Sequence, residues 1–383
     1  MFGAGPSMPF VLNESWVGRR VSVRRVVLDG ADGQIRFADV VGDLLELTAR
    51  TALIESAAGP VRLELDRIAL ARQAFPSTAD VLALAAIYER GWRAAETERL
   101  GGWLLRADNG GSGRANSALP LGRPETSLDD TLTLARQWYA RRGLPLTLQC
   151  PLPARSLLDA ELGERGWPAR TDVHVLAGRL DVLTAPAAPP TGAATGADTS
   201  GGCDPDSGIG PVRVESSPDD GWLACYDSRR GSPSESAHDL LTRHPRVGFL
   251  SVRDGETVLG IARAVVDEGW LGVNAVGVNP AHRRLGIGTA LVRAAWSWAR
   301  EHHGATRSYL QVEATNQPAI TAYLGLGYWH HHDYRYRTEP EPEELPSAHD
   351  TRDAERQASR DLGGRPAQGP GATALGRPPA AGR

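Results

Sequence analysis

The sequence predicts an α/β fold, α+β in its mix of strands and helices, built as two similarly patterned halves behind a small all-β module. Three observations predict it. First, residues 15–72 carry short β-branched runs at 20–27, 40–48, 51–56 and 61–65, punctuated by Gly30, Gly33, Gly42 and Gly59. Strands at that spacing make a small barrel. Second, residues 76–180 and 211–337 both alternate helix and strand; in the first half helices are expected at 77–93, 128–142 and 157–165, with strands at 102–106 and 144–150. Third, both halves repeat one order: helix, glycine turn, strand, helix, Gly-aromatic. One copy reads TLARQWYARRGLPLTLQC, then ELGERGW; the other reads LVRAAWSWAREHHGATRSYLQV, then AYLGLGYW. An ungapped pairing sets Gly143 opposite Gly304.

Length and composition narrow the function classes. The 383 residues are 41% hydrophobic and 23% charged, enough for two or three domains with their own cores. A formal net charge of −4 gives no global basic field, so nucleic acid is not an expected partner. No run of about eighteen apolar residues is present, so no membrane span is expected. Residues 1–12 are apolar but lack the basic start and long apolar stretch of a signal peptide. All 42 basic residues are arginine. Without a lysine the chain has neither a P-loop nor a pyridoxal Schiff base. Cys150, Cys203 and Cys225 lie far apart with no CxxC pair, which argues against a zinc knuckle or a disulfide framework and fits a reducing, cytoplasmic location. Residues 181–210, rich in Ala, Pro, Gly, Thr and Asp, read as a flexible linker, and residues 338–383, without an aromatic, as a disordered tail.

The strongest local signal is VNAVGVNPAHRRLGIGTALVRAAWSWA. A buried strand at 273–278 is ended by Asn279-Pro280. Arg283-Arg284-Leu285-Gly286-Ile287-Gly288 then opens a helix whose apolar face reads Leu291, Ala294, Ala295 and Trp298. A glycine turn at a helix start leaves backbone N–H groups unpaired at the positive end of the helix dipole, and glycine lets phosphate oxygens approach them. A pyrophosphate suits that chemistry. A Rossmann turn would need a third glycine in G-x-G-x-x-G, which is absent, so a nucleotide-dependent oxidoreductase is disfavoured. The second signal is YLQVEATNQPAITAYLGLGYW: a strand at 308–313, Asn316, a helix carrying Tyr323, and Gly327-Tyr328.

These segments resemble the (R/Q)-x-x-G-x-(G/A) and N-x-x-A-x-x-x-Y-x-x-x-G-(F/Y) motifs of the GCN5-related N-acetyltransferase (GNAT) superfamily. Arg283, Gly286 and Gly288 match the first; Asn316, Ala319, Tyr323, Gly327 and Tyr328 match the second, in the family's order. The resemblance covers 211–337 clearly and 76–180 loosely, while WVGRRVSVRR and the runs after it are similar to the SH3-like module preceding some actinobacterial acetyltransferases. It implies two tandem halves of the GNAT fold behind an SH3-like barrel. The implied activity is acetyl-CoA-dependent transfer to an amine of a small molecule or peptide, with no metal. The implied cofactor site comprises Val276, Val278, Arg283, Arg284, Gly286, Ile287, Gly288, Thr289, Asn316 and Tyr323. Asn316 would meet the pantetheine or phosphate end of CoA, and Tyr323 would stand near its sulfur. Backbone amides around Val276 and Val278 would polarise the thioester, and Tyr323 would protonate the leaving thiolate. A core-packed tyrosine is the other reading of Tyr323. A non-catalytic acetyl-CoA-binding regulatory module would carry the same motifs.

The general base stays open among Glu313, Asp267 and Glu268; some relatives carry an acid where this chain has Gln311. In His330-His331-His332, strand alternation sets His330 and His332 on one face, with no cysteine near to complete a metal site. In the first half, Gly122-Arg123-Pro124-Glu125-Thr126-Ser127 falls opposite residues 283–288, and Leu162 opposite Tyr323. Glu125 stands where a phosphate-facing group is needed, so this half is not expected to bind CoA. The stretch ADNGGSGRANSALPLG, around Arg114 and Asn116, reads either as a hairpin loop or as a substrate-facing segment.

Overall fold

The first half runs α1 (Thr78–Arg90), β6 (Glu96–Leu100), β7 (Trp103–Ala107), β8 (Leu119–Pro120), α2 (Leu128–Ala140), β9 (Thr147–Leu152), α3 (Ser156–Glu164) and β10 (Val173–Arg179) in the computed structural model, which describes residues 12–28, 35–108, 112–170, 172–183, 210–228 and 235–340. After a single helical turn, α4 (Leu180–Leu183), the second half runs β11 (Arg213–Glu215), α5 (Asp220–Asp227), α6 (Glu235–Thr242), β12 (Val247–Asp254), β13 (Thr257–Asp267), β14 (Trp270–Val278), α7 (Ile287–His303), β15 (Arg307–Glu313), α8 (Gln317–Gly325) and β16 (Trp329–Thr338). Capping chemistry sets the first helix boundary. Ser77 and Asp80 exchange side-chain and backbone hydrogen bonds in a capping box, so α1 starts one residue after the predicted helix.

Each half lends its last strand to the other. The main sheet has the order β11-β12-β13-β14-β15-β10-β16-β9, and β9 continues to β8, β7 and β6 through a parallel bridge from Leu148 to Ala118. From either end the order converges on the middle in the same way. An antiparallel meander, β6-β7-β8 at one end and β12-β13-β14 with β11 added at its edge at the other, leads to a strand added in parallel, and the other half's last strand follows. β10 and β16 pair antiparallel at the centre. The crossover helices α2 and α7 both end at a left-handed glycine, Gly143 at φ 65° and Gly304 at φ 62°. The two halves are thus related by a pseudo-twofold through the β10–β16 pair. Arginines of β16 clamp this arrangement: Arg335 pairs with Asp172 at 2.6 Å and Asp159 at 3.0 Å, and Arg337 with Asp159 at 2.8 Å.

The core of the second half fills the α7–α8 face of its sheet. Ile287, Leu291, Val292, Ala295, Trp296 and Ala299 of α7 are buried there against Leu250, Ala264, Val273 and Leu310. The predicted stripe is right at Leu291 and Ala295, but Ala294 and Trp298 sit at its margin. The buried row continues from Ile287 in steps of four, and Trp296 enters because its Nε1 donates to the Tyr328 hydroxyl at 2.8 Å. The opposite face carries Trp92, Trp222, Tyr226 and Phe249 in one cluster and Tyr88, Tyr309 and Tyr334 in another. Leu162, aligned with Tyr323, is core in the first half, with Trp103, Trp138 and Tyr139.

The leading module is β1 (Arg20–Leu28), β2 (Ile35–Leu47), β3 (Thr51–Ser56), β4 (Gly59–Glu64) and β5 (Ile68–Gln73), an antiparallel sheet of order β4-β3-β2-β1-β5. The sequence suggested a closed SH3-like barrel. Among the described residues no ladder joins β4 to β5, which leaves both as edges, so the sheet stays open. The expected linker starts later than position 181, because Leu180 and Leu183 of α4 are buried in the second half's core. Likewise Thr338 ends β16, and Glu339 accepts from Arg136 at 2.5 Å. Residues 184–209 of that linker, residues 341–383 of the expected tail, residues 1–11 and Cys203 lie outside the described residues. No described helix is long and apolar enough to cross a membrane.

The histidine run departs from simple alternation. The β10–β16 ladder pairs Val175 with His332 and Leu176 with His330, so His331 is the extra residue of a bulge. His331 and His332 therefore both turn inward, while His330 is exposed. The His331 and His332 Nδ1 atoms are 2.7 Å apart, which requires one to donate. His330 and His174 both contact Oδ1 of Asp333, at 2.7 and 2.6 Å. Burial raises the Asp333 carboxyl, but the hydrogen bonds from the two imidazoles prevail and hold it down at about 2.

Two outcomes follow from this architecture. If β10 and β16 are exchanged, residues 210–383 expressed alone lack the strand between β15 and β16. That piece should aggregate or oligomerise, and co-expression with residues 1–183 should restore a soluble complex on size exclusion. A monomeric fragment with a cooperative melt near that of the whole chain would refute the exchange. The second outcome concerns pH. Burial pushes the His331 imidazole down to about 4 from 6.5, so across that window the unfolded chain binds a proton that the folded chain refuses. Stability is full above the ordinary histidine range and falls with pH through the window, by about 2 kcal/mol at pH 5. Melting curves from pH 7.5 to 5 should show that decline, and His331→Gln should lessen it, the remainder belonging to His332, which burial also holds low; an equally steep decline in the variant would place its origin elsewhere.

Candidate functional site

Backbone conformation builds the site at the carboxyl end of β14. Asn279 caps the short turn of Pro280–His282, its Oδ1 accepting from Ala281 at 3.1 Å. The chain then reverses through two left-handed residues, Arg284 at φ 68° and Gly286 at φ 83°. No side chain caps α7, and its first intrahelical bond runs from Ala290 N–H to Gly286 C=O at 2.9 Å. The amides of Ile287, Gly288 and Thr289 therefore face outward at the positive end of a 17-residue helix. A Cβ on Gly288 would meet only Val278, at 3.7 Å, so the approach to these amides is open. Arg283 and Arg284 are exposed beside them, with no side-chain partner among the described residues. Ile287 pins the first turn: it packs so closely over β13 that a Cβ on Gly260 would come within 2.6 Å of it. A pyrophosphate fits this turn.

β14 and β15 separate just below it. Their parallel pairing covers Trp270–Arg307 to Val273–Leu310 and stops. Opposite Ala262 the β13–β14 register slips, and Ala275 takes φ 52°, a conformation an alanine adopts only under strain. This bulge re-aims the backbone of Val276 at the mouth of the fork. Val276 and Val278 stay half-buried against the α7 core. Ala319 and Tyr323 of α8 pack against that same core, so α7, the bulged strand and α8 share it. Asn316 is the N-cap of α8, its Oδ1 accepting from Ala319 at 3.3 Å. Tyr323 is half-buried, 6.3 Å from the Tyr328 ring. Tyr328 is the buried one of the two, bonded to Trp296 and Ser308, and burial pushes its hydroxyl well up.

The candidate bases separate cleanly. Asp267 and Glu268 lie at the far end of β14, where Arg90 holds Asp267 at 2.6 Å and Glu268 at 2.9 Å. They are structural ion pairs of the β13–β14 turn, remote from the fork. Glu313 is exposed at the end of β15, on the face shared with Tyr309 and Gln311. Gln311 accepts from Arg114 of the first half at 2.6 Å, so the glycine-rich segment does reach the second half. Asn116 instead closes its own loop, accepting from Asp108 and donating to Ser112. The only His/acid cluster with ligand atoms drawn within 4.8 Å, among the described residues, is His174, His330 and Asp333, not the His330–His332 pair suggested by alternation. In the first half, the equivalent helix start is self-satisfied: Ser127 accepts from Asp130, and Asp129 and Asp130 occupy the first turn. That end repels phosphate. Sequence reasoning missed Ala275, whose side chain gives no sign of positive φ, and Arg263, a charge inside the apolar run GIARAVV that was legible as an anomaly.

Comparison with known proteins agrees with this geometry. The family model described as "Probable histone acetyltransferase Rv0428c C-terminal" matches residues 78–337. The chain is 29% identical over 338 residues to the Probable histone acetyltransferase Rv0428c of Mycobacterium tuberculosis, covering 82% of this chain and 94% of that protein. It is 24% identical over 245 residues to the Uncharacterized N-acetyltransferase YobR of Bacillus subtilis, covering 62% and 90%. In structure it is similar to the GCN5-related N-acetyltransferase from Kribbella flavida, with a TM-score of 0.51 at 18% identity over 71% of this chain and 98% of that one. From α1 to β16 the chain belongs to the matched family, an acetyltransferase family, and its fold is like that of a GCN5-related N-acetyltransferase.

Proposed function

We propose that the chain is an N-acetyltransferase that moves the acetyl group of acetyl-CoA directly to an amine. The observation that carries this reading is the fork between β14 and β15, bulged at Ala275, directly beneath an uncapped α7. The amides of Ile287, Gly288 and Thr289, with Arg283 and Arg284, would take the pyrophosphate. The strand edge at Val276 and Val278 would hold the pantetheine arm by backbone hydrogen bonds and polarise the thioester carbonyl. The acceptor nitrogen would form the new C–N bond as the C–S bond breaks. The sulfur would take its proton from Tyr323, on the α8 side of the fork. The proton shed by nitrogen would leave on the opposite face, where Glu313 can receive it through water. The name of the mycobacterial relative suggests a basic protein tail as acceptor.

Two variants test the reading. Gly288→Glu puts a carboxylate where phosphate oxygens belong, at a position whose Cβ is unopposed. CoA affinity by calorimetry should drop at least about tenfold, the worth of one charge-assisted hydrogen bond, with an unchanged melt. Retained affinity in the folded variant would move the cofactor site elsewhere. Tyr323→Phe keeps the ring and its packing, so CoA binding should hold while kcat falls by about 10²–10⁴-fold, where chemistry limits turnover. A kcat within about threefold of the parent would return Tyr323 to the core. CoA binding without thiol release for any amine would make the chain a CoA-binding regulatory module.

A further inference from the structure

The face of the fork opposite α7 carries two guanidiniums with no counter-ion among the described residues. Beyond the last parallel pair, Val273 and Leu310, the next residues are Asn274 and Gln311. Each accepts from an arginine: Asn274 Oδ1 from Arg263 Nη1 at 3.1 Å, and Gln311 Oε1 from Arg114 Nη1 at 2.6 Å. The indole of Trp92 lies between the two cations, 4.3 Å from the Arg114 guanidinium and 5.1 Å from that of Arg263. Arg263 is fully buried. Its partners are all neutral: the carbonyls of Leu241 and Gly91, and Asn274. Among the described residues its Nη2 has no partner, nor has Gln311 Nε2. Burial pushes Arg263 down to about 10, so it remains charged at neutral pH.

Arg90, Arg243, Arg335 and Arg337 pair with carboxylates, and buried Arg106 is held, like Arg263, by neutral oxygens, those of Ser117 and Gln149; here a second guanidinium, Arg114, stands over the same indole as Arg263. At the fork the positive charge is left open, and Arg114 is its half-exposed end. A buried charge without a counter-charge is costly, and an anion arriving at Arg114 would relieve that cost. The same field would repel a cationic peptide at this point.

We propose that Arg114, backed by Trp92 and Arg263, seats an anionic group of the acceptor, so that the amine acetylated here also carries a carboxylate or a phosphate. The inference rests on the acetyltransferase reading and narrows its substrate class. With the anion on Arg114, the amine would lie toward the bulge at Ala275, and Glu313 would stand two residues beyond Gln311 on the same strand face. The first half would then serve recognition: it supplies Arg114 and Trp92, while the second half supplies the cofactor groove.

The test uses the full chain saturated with CoA for binding and with acetyl-CoA for turnover. Calorimetry compares free amino acids with their carboxamides, phosphoethanolamine with ethanolamine, and a lysine-rich peptide. Thiol release is followed for the same compounds. At least one anionic member should bind about 10–100-fold tighter than its neutral partner, the range of a charge-assisted hydrogen bond. Its identity then distinguishes carboxylate from phosphate. Arg114→Gln should abolish that preference, and Arg114→Lys should restore part of it, with CoA titration and melting curves reporting the fold of each. Absence of any anionic preference in the unmodified chain, or tighter binding of the lysine-rich peptide, overturns the seat while the acetyltransferase reading stands. Anion-selective binding without thiol release does the reverse: it keeps the seat and defeats the transferase reading.

Discussion

Backbone hydrogen bonds between β10 and β16 decide which surfaces of the two halves can face each other. Because β10 fills the place beside β15, neither half completes its own sheet. The chain therefore behaves as one sheet with two forks rather than as two beads on a linker. Edge strands inside each half would otherwise be open to self-association. The exchange covers them, and the Arg335–Asp172–Asp159–Arg337 network fastens the join where a lone surface pair would contribute little. It also fixes the distance between Arg114 and Gln311, residues nearly two hundred positions apart.

The pseudo-twofold is broken at the forks, and there the functions divide. In the first half, Gln149 stands one residue past the Ala118–Leu148 bridge, as Gln311 stands one past Leu310. Arg106 of β7 fills that fork from within, donating to Gln149 and to both oxygens of Ser117. In the second half the arginine on Gln311 comes from across the interface. The helix starts differ in parallel: Ser127 caps α2, while Gly286 leaves α7 uncapped. One fork is filled by an arginine of its own half; the other receives an arginine from each half.

Much of this was legible in the sequence, for reasons that can be named. Gly286 and Asn316 are marked by residue type, because left-handed turns and helix caps each select particular side chains. The repeat was legible because Gly143 and Gly304 answer the same steric demand at two helix ends. The exchange was not legible. β10 and β16 can satisfy their hydrogen bonds against either β9 or β15, and local pattern does not say which partner is chosen. The histidine run was misread because the bulge at His331 shifts the alternation by one, and nothing in three identical residues announces it. Arg114 was visible only as an arginine in a glycine-rich loop. Its partner lies across the join that the sequence left undetermined.

Strain and uncompensated charge meet within a few residues of one another. Ala275 in a left-handed conformation costs roughly 1–2 kcal/mol, and Arg263 is held away from water with a donor unpaired. Local features offset part of this. The Gly91 carbonyl that accepts from Arg263 sits at the C-terminal, negative end of α1, and the Trp92 ring faces the guanidinium. Neither removes the net positive charge. A structural arginine could have been paired with an acid here, as Arg90, the residue before Gly91, is with Asp267. Leaving it unpaired at the fork, beside a strand distorted to re-aim its backbone, concentrates the unfavourable terms where a bound ligand would relieve them.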